Sequence, residues 1–316
     1  MSPAKTNLGS TVKHALSGVA IACSLFAGST AHAALSFDFN FSVEPGQQAF
    51  TPGQQQSIVT AGNLFSGVFG KYFSNTARLQ FDVISDGMGI ASAGQDLVFN
   101  PDGSNTEVVR IKIITGVDAN GSKSDGTINI NLGTNFQFDP NAPVDFGGGQ
   151  IDLFSVIDHE VTHAFGFQSF AASGFFSKFD TFLTANDGTP LVSGGVLNPA
   201  AVRNGLNNGA LFVGPNAVAA YGAGVPIQGK QGGTDGVLNH LGTDAFSSPT
   251  VPQNALLLCC GGANVQFEPR DYNTSEVGIL ADLGYNPALV PEPSTYALMF
   301  AGLAGVGFAA KRRSKS

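Results

Sequence analysis

The sequence predicts an α+β fold in which a twisted, mixed β-sheet packs against helices. Apolar residues recur at helical spacing over 54–72 and again over 151–165. Residues 76–85 alternate between apolar and polar side chains, which is the pattern of a half-buried strand. Runs at 108–117 and 127–132 are rich in β-branched residues and indicate further strands.

The first helix, 54–72, presents Ile58, Phe65 and Phe69 on one face. The sheet is expected to hold four or five strands between residues 76 and 132. The loop 118–126 superficially resembles a calcium loop, and the acidic composition is compatible with Ca²⁺, but the loop lacks the terminal bidentate glutamate. Its Asn-Gly and Asp-Gly steps favour a hairpin turn between two strands.

The C-terminal half is expected to be irregular and to close a cleft over the helix at 151–165. Residues 169–239 are glycine-rich and weakly periodic, which predicts loops and short elements. Thr274 is expected to cap a last helix over 275–283, and Gly284 to end it.

Both ends of the chain read as processing signals and not as fold. Residues 1–33 combine Lys5 and Lys13, a short apolar run and Ala31-His32-Ala33, as expected of a signal peptide that signal peptidase removes. The mature domain is expected to span residues 34–289. Residues 290–316 contain Pro291-Glu292-Pro293, a short apolar stretch and a basic end.

That tail resembles the PEP-CTERM sorting signal of Gram-negative bacteria. The resemblance implies export to the cell surface or beyond, removal of the tail by an exosortase-type enzyme, and transient membrane contact through the C-terminal helix. Fifteen apolar residues, 296–310, are marginal for a bilayer core about 30 Å thick.

Composition excludes one class of partner. Residues 34–289 hold 22 acidic and 9 basic side chains, a formal charge of −13, which argues against nucleic-acid binding. Cys259 and Cys260 are the cysteines left in this segment, so a disulfide framework is not expected. Buried thiols are favoured over a vicinal disulfide.

The motif that carries chemistry is His159-Glu160-Val161-Thr162-His163. On a helix His159 and His163 are four residues apart, so both imidazoles project from one face and can bind one Zn²⁺ ion. Glu160 lies one step round the helix, where it can act as a general base on a water molecule. Gly166 is expected to end the helix.

A catalytic zinc ion needs a third protein ligand. His14 and His32 fall in the leader, so His240 is the remaining histidine of residues 34–289. Glu268 and Glu276 are its rivals, and the sequence leaves this choice open. Glu276 can also serve as a first-turn carboxylate of the last helix.

The segment from His159 to Gly166 resembles the metzincin zinc peptidases. Ser169 stands where the third histidine of most metzincins lies, so the spacing to His240 is similar to that of leishmanolysin-like members, with residues 169–239 as an insertion. The resemblance implies a metzincin-like fold and peptide-bond hydrolysis of protein or peptide substrates. The methionine turn is missing, and residues 256–260 are expected to supply an apolar floor.

In the expected mechanism Glu160 moves the proton, and Tyr272 is a candidate stabiliser of the oxyanion. One alternative is a non-catalytic surface or extracellular matrix protein with a structural metal site, for which Cys259 or Cys260 would be the fourth ligand. A glycan-binding sandwich is disfavoured, because the chain has no tryptophan.

Overall fold

The computed structural model describes residues 35–73, 75–230, 238–242, 256–257 and 270–285. The helices are α1 (Pro52–Phe69), α2 (Val108–Thr115), α3 (Leu153–Ala164), α4 (Pro199–Asn208), α5 (Pro215–Tyr221) and α6 (Thr274–Asp282). Short 3-10 turns cover Gly70–Tyr72, Phe146–Gly148, Ala171–Ser173 and Asp180–Phe182.

The strands of the first half are β1 (Leu35–Val43), β2 (Ala77–Ser85), β3 (Ala91–Gln95), β4 (Leu97–Phe99), β5 (Asn105–Glu107), β6 (Gly126–Ile130), β7 (Phe136–Gln137) and β8 (Ile151–Asp152). Those of the second half are β9 (Leu183–Ala185), β10 (Val192–Ser193), β11 (Val196–Leu197), β12 (Ala210–Phe212) and β13 (Val225–Ile227).

The main sheet of the described chain has four strands in the order β1-β2-β6-β3. β1, β2 and β6 are parallel, and β3 pairs antiparallel with β6, Ala91 lying opposite Ile130. The sheet is therefore mixed, and the overall α+β architecture is confirmed. β1 lies outside the predicted range of 76–132, although Phe37, Phe39 and Phe41 give it a clear two-residue alternation.

The core lies between the sheet and helices α1 and α3. β2 sends Leu79, Phe81 and Val83 into it, and α1 contributes Phe65 and Phe69, all fully buried. The ring of Phe65 packs edge-on against Phe37 of β1 and Phe165 at the end of α3. These contacts fix α3 against the sheet, which is what positions the motif that α3 carries.

The strand predicted over 108–117 is wrong, since residues Val108–Thr115 form α2. Its β-branched residues favour a strand locally, but burial of Val109 and Ile113, four residues apart, selects a helix. Gly116 ends α2 with φ 74°. The loop 118–126 consequently joins a helix to β6, so the predicted hairpin is also wrong.

Two carboxylates of that loop form ion pairs with a lysine side chain of α2. The Nζ atom of Lys112 lies 3.1 Å from Asp118 Oδ2 and 2.8 Å from Asp125 Oδ1. The main-chain N–H of Gly121 also donates to Asp118. This arrangement favours a structural role for the loop over the weakly indicated calcium site.

The second half consists of short elements, as expected for residues 169–239. α5 and α6 pack closely, because Gly278 lets the backbone of Ala217 approach; a Cβ atom at residue 278 would lie 2.7 Å from Ala217 Cα. The cap of α6 is Asn273 and not Thr274, and it forms a capping box with Glu276. Gly284 follows α6 with φ 98°, as predicted for its end.

Several predictions fall outside the described residues. These are the leader at 1–33, the tail at 290–316, Cys259, Cys260 and Glu268.

Candidate metal centre

Helix α3 is anchored at both ends. Asp152 caps its N-terminus, accepting hydrogen bonds from the main-chain N–H groups of Phe154 and Ser155. The same carboxylate pairs with the guanidinium of Arg270 through two contacts of 2.8 Å. Gly166, with φ 96°, adopts the left-handed conformation that turns the chain away after the last helical turn. His159 and His163 therefore stand on a fixed helix face.

Three imidazoles converge on one point. The Nε2 atoms of His159 and His163 are 3.0 Å apart, and His240 Nε2 lies 3.1 Å from the first and 3.2 Å from the second. The structure thus brings together the three histidines that the sequence predicts as metal ligands. It does so although His240 is 77 residues from His163 along the chain.

The His240 segment, 238–242, is held by backbone hydrogen bonds. The carbonyl of His240 accepts from Gln228 N–H at 2.9 Å, and Leu241 N–H donates to Leu257 O at 2.9 Å. Leu238, two residues before His240, has φ 50°, an uncommon conformation for a leucine. Such backbone strain persists where the surrounding contacts impose it, often at functional sites.

Two backbone carbonyls decide which ring nitrogens face the centre. His159 Nδ1 is 2.8 Å from Leu256 O, and His163 Nδ1 is 2.9 Å from Phe167 O. A carbonyl oxygen only accepts, so both Nδ1 atoms must carry the proton. The Nε2 atoms of His159 and His163, when the rings are neutral, therefore present lone pairs to each other.

Electrostatics keeps these rings neutral. Burial and, to a smaller extent, the nearby His159 lower the pKa of His163 to about 3. Burial is also the main cause that lowers the pKa of His159 and, well below its usual value, the pKa of His240. Two lone pairs facing each other at 3.0 Å repel unless a cation lies between them.

The geometry fits a zinc ion. Two imidazole nitrogens bound to one zinc ion at about 2.0–2.1 Å with tetrahedral angles are about 3.3 Å apart. The observed separations of 3.0–3.2 Å are within a few tenths of an ångström of that value. His163 is buried, whereas His159 and His240 keep part of their surface exposed.

Glu160 is 7% exposed and lies beside strand β3. Burial raises the pKa of its carboxyl group to about 8, and the main-chain N–H of Ala93 opposes that rise by hydrogen bonding. A carboxyl group with a pKa near neutrality can both accept and release a proton. The contact between Ala93 and Glu160 could not be predicted from the sequence, because it is made by the backbone of β3, a strand that the sequence does not predict.

Strand β3 has a free edge in the described chain. Asn131 N–H donates to Ile90 O and Asp96 N–H to Asp125 O, each at 3.0 Å, so the even-numbered residues of this strand bond to β6. The odd-numbered residues consequently turn their main-chain N–H and C=O groups outward. They are Ala91, Ala93 and Gln95.

The other sequence candidates have different surroundings. The hydroxyl of Tyr272 lies 2.8 Å from Thr162 Oγ1, and its ring packs against Phe69 and Tyr72, which favours a structural role over the predicted oxyanion role. Glu276 bonds to backbone N–H groups and not to the imidazoles. Ser169 donates to Asp180.

Two surface clefts, of about 460 and 610 Å³, lie elsewhere along the sheet. Asp38, Arg78 and Lys112 help to line the first, and Asp82 and Asp96 the second. Neither contains any of the three histidines, so volume alone does not locate the metal centre.

Comparison with known proteins identifies the tail. Residues 289–313 match the PEP-CTERM protein-sorting motif. No curated protein and no solved structure matches the chain. No helix within the described residues is long and apolar enough to cross a membrane. The match over residues 289–313 shows that the chain carries the sorting signal that an exosortase-type enzyme processes. This signal implies export to the envelope or surface of a Gram-negative bacterium.

Proposed function

We propose that residues 34–289 form a zinc-dependent peptidase whose metal ligands are His159, His163 and His240. The observation that carries the proposal is the pair of Nε2 lone pairs held 3.0 Å apart by Nδ1 hydrogen bonds to Leu256 O and Phe167 O. Such a pair is stable when the two nitrogens share a cation. Neutral imidazole is a good ligand for zinc and other first-row metals.

Three protein ligands favour catalysis over a purely structural role. Structural zinc sites have four protein ligands, whereas catalytic sites keep one position for water or substrate. Within the described residues the cluster consists of three candidate ligands, and two of them are partly exposed. A bound zinc ion would polarise a carbonyl group and lower the pKa of a coordinated water molecule to about 7.

Glu160 is assigned the proton transfers. Its carboxylate takes a proton from the attacking water and then delivers it to the departing amine nitrogen. The pKa of about 8 in the metal-free protein keeps both states accessible, and a nearby divalent ion would favour the ionised form. The main-chain N–H of Ala93 favours the ionised form of this carboxyl group.

The free edge of β3 supports a peptide as the substrate. An extended chain can pair with the outward N–H and C=O groups of Ala91 and Gln95 and with the C=O group of Ala93, since an exposed sheet edge is a template for an added strand. Ala93 also contacts the carboxylate of Glu160. A peptide bound in this way would pass beside the general base.

The competing function is a non-catalytic surface protein with a structural metal. One observation favours it: Leu256 contacts His159, and Cys259 follows only three residues later in the sequence. A thiolate from Cys259 or Cys260 would complete a four-ligand site.

Metal removal and cobalt substitution separate the two functions. We expect chelation to abolish hydrolysis of casein, and one equivalent of Zn²⁺ or Co²⁺ to restore it. The cobalt form should lack the intense near-ultraviolet charge-transfer band of a thiolate ligand. A strong thiolate band, together with no hydrolysis in any metal form, would favour the structural site.

A further inference from the structure

A buried carboxylate on α6 reaches the metal centre through a single peptide group. Glu276 is fully buried, and its two oxygens accept different backbone hydrogens. Oε2 accepts from Asn273 N–H at 2.8 Å, which closes the capping box of α6. Oε1 accepts from Leu257 N–H at 2.7 Å, and Leu257 is far from α6 in the sequence.

The N–H of Leu257 and the C=O of Leu256 belong to the same peptide group. On its other side that group accepts the Nδ1 proton of His159 at 2.8 Å. A continuous path therefore runs from the imidazole through the peptide to the carboxylate. The hydrogen bond that Glu276 accepts from the Leu257 N–H polarises the peptide group and strengthens the Leu256 carbonyl as an acceptor, because hydrogen bonds in a chain reinforce one another.

The same dipeptide also reaches a second ligand. Leu257 O accepts from Leu241 N–H at 2.9 Å, one residue after His240. Leu256 and Leu257 are both buried, so neither carbonyl is free to exchange its partner for bulk water. The Leu256–Leu257 dipeptide is thus a brace between α6 and two of the three histidines.

Helix α6 is itself held by contacts with α5. Asp282 accepts hydrogen bonds from the main-chain N–H groups of Asn216 and Ala217, at 3.0 and 2.9 Å. Gly278 lets α6 pack closely against α5, at a distance that a side chain at this position would prevent. The first turn of α6, which carries Glu276, is fixed by its capping box and by the packing of Gly278 against α5, whereas Asp282 lies at the other end of the helix. The position of Glu276 therefore does not depend on the Asp282 hydrogen bonds.

We infer that Glu276 is a positioning residue of the metal centre. It holds the Leu256–Leu257 peptide so that His159 keeps its proton on Nδ1 and offers Nε2 to the metal, and so that the His240 segment stays in place. The inference rests on the proposed metal site. Carboxylates that orient a ligating histidine usually bond to it directly; here one peptide group stands between them.

The test compares two carboxylate-to-amide variants on the same helix. Both Glu276→Gln and Asp282→Asn weaken a buried acceptor of two backbone N–H groups, but only Glu276 touches the brace. Zinc affinity is measured on the exported protein by competition with a chelator, at a temperature where circular dichroism shows each protein folded. The melting temperature is recorded for both.

We expect Glu276→Gln to weaken zinc binding by about 10- to 100-fold, the usual effect of losing an outer partner of a ligating histidine. Asp282→Asn should bind zinc as the wild type does, even if its melting temperature falls as far. Equal affinities for Glu276→Gln and wild type, or an equal loss in both variants, would overturn the inference while leaving the zinc site intact. Absence of zinc binding in the wild type would instead overturn the proposed function together with the inference.

A second measurement applies even if Glu276→Gln does not fold. Nitrogen NMR of ¹⁵N-histidine in metal-free residues 34–289 should show His159 and His163 with the proton on Nδ1, and this segment contains three histidines to assign. A His159 ring with its proton on Nε2 would contradict the brace.

Discussion

At the scale of single residues, the metal centre depends on main-chain atoms as much as on side chains. The spacing of His159 and His163 could be predicted from the sequence, since four residues place two side chains on one helix face. His240 could be proposed as the third ligand because it is the one other histidine in residues 34–289. The carbonyls of Leu256 and Phe167, which select the binding nitrogens, could not be predicted, because any residue type offers the same carbonyl group.

His240 is the ligand whose removal discriminates best between the predicted ligand sets. We expect His240→Ala to lower zinc affinity by more than the roughly 10- to 100-fold that an outer-shell change costs, because a direct ligand is lost. Asn239→Ala is the matched control, since Asn239 Oδ1 has no hydrogen-bond partner within the described part of the chain. Unchanged zinc affinity in His240→Ala would point to Glu268, because Glu276 is occupied by backbone contacts.

The histidines also predict how the stability of the metal-free protein varies with pH. Burial lowers their folded pKa values below the usual 6.5, that of His163 to about 3. Between those values these three side chains bind more protons in the unfolded chain, so their contribution to the free energy of unfolding falls as the pH is lowered from about 6.5 toward 3. Four buried carboxyl groups whose pKa values are raised, Asp158, Glu160, Asp180 and Glu276, have the opposite effect. The contribution of a histidine is therefore measured as the difference between the wild type and a histidine variant.

Urea denaturation of chelator-treated protein at a series of pH values measures this slope. In His163→Gln the free energy of unfolding should fall less between pH 6.5 and 3 than in the wild type, because the variant lacks a buried imidazole whose pKa is lowered to about 3. Identical slopes for variant and wild type would show that the buried His163 does not resist protonation.

At the scale of elements, the structure predicted from local sequence differs from the observed structure in a segment rich in β-branched residues. Val108–Thr115 carries a strand-like composition but forms α2, because its buried face is set by the neighbouring sheet. β3 contains Ala91, Ser92 and Gly94, which have little strand preference, and it was missed. By contrast, α1 and α3 were predicted within a few residues, since long apolar periodicity is a strong signal.

The edge of β3 makes a prediction about substrates. A peptide that pairs with Ala91, Ala93 and Gln95 would use the N–H groups of alternate residues only. A substrate peptide in which one of these main-chain nitrogens is methylated, at least two residues from the cleaved bond, should be hydrolysed roughly 2- to 10-fold less efficiently. This is the effect of losing one hydrogen bond. Methylation of the neighbouring nitrogen is the control and should have a smaller effect. Equal effects in both registers would argue against strand pairing.

At the scale of the whole molecule, the fold joins distant segments at one centre. The mixed sheet and α3 belong to the first half, whereas His240, the brace and α6 come from the second. The sequence shows that residues 169–239 separate two of the proposed ligands. No short sequence pattern predicts that the segment after them packs against α3. That return depends on non-local pairs such as Leu241 with Leu257.

The ends of the chain follow a simpler logic, because they are read by other proteins as linear signals. Pro291-Glu292-Pro293, the apolar stretch and the basic end could be recognised without any fold, and the match over residues 289–313 confirms the sorting motif. Export agrees with the acidic composition of residues 34–289 and places the proposed peptidase outside the cytoplasm.

The most direct test of the account compares wild type with Glu160→Gln. Metal content and casein hydrolysis are measured on the exported forms of both proteins. The amide keeps the size and most hydrogen bonds of the carboxylate but cannot take a proton from water. We predict one zinc ion per chain in both proteins and hydrolysis in the wild type alone, with activity lowered by about 10²- to 10⁴-fold in the variant. Full activity in Glu160→Gln, or no zinc in the wild type, would contradict the account.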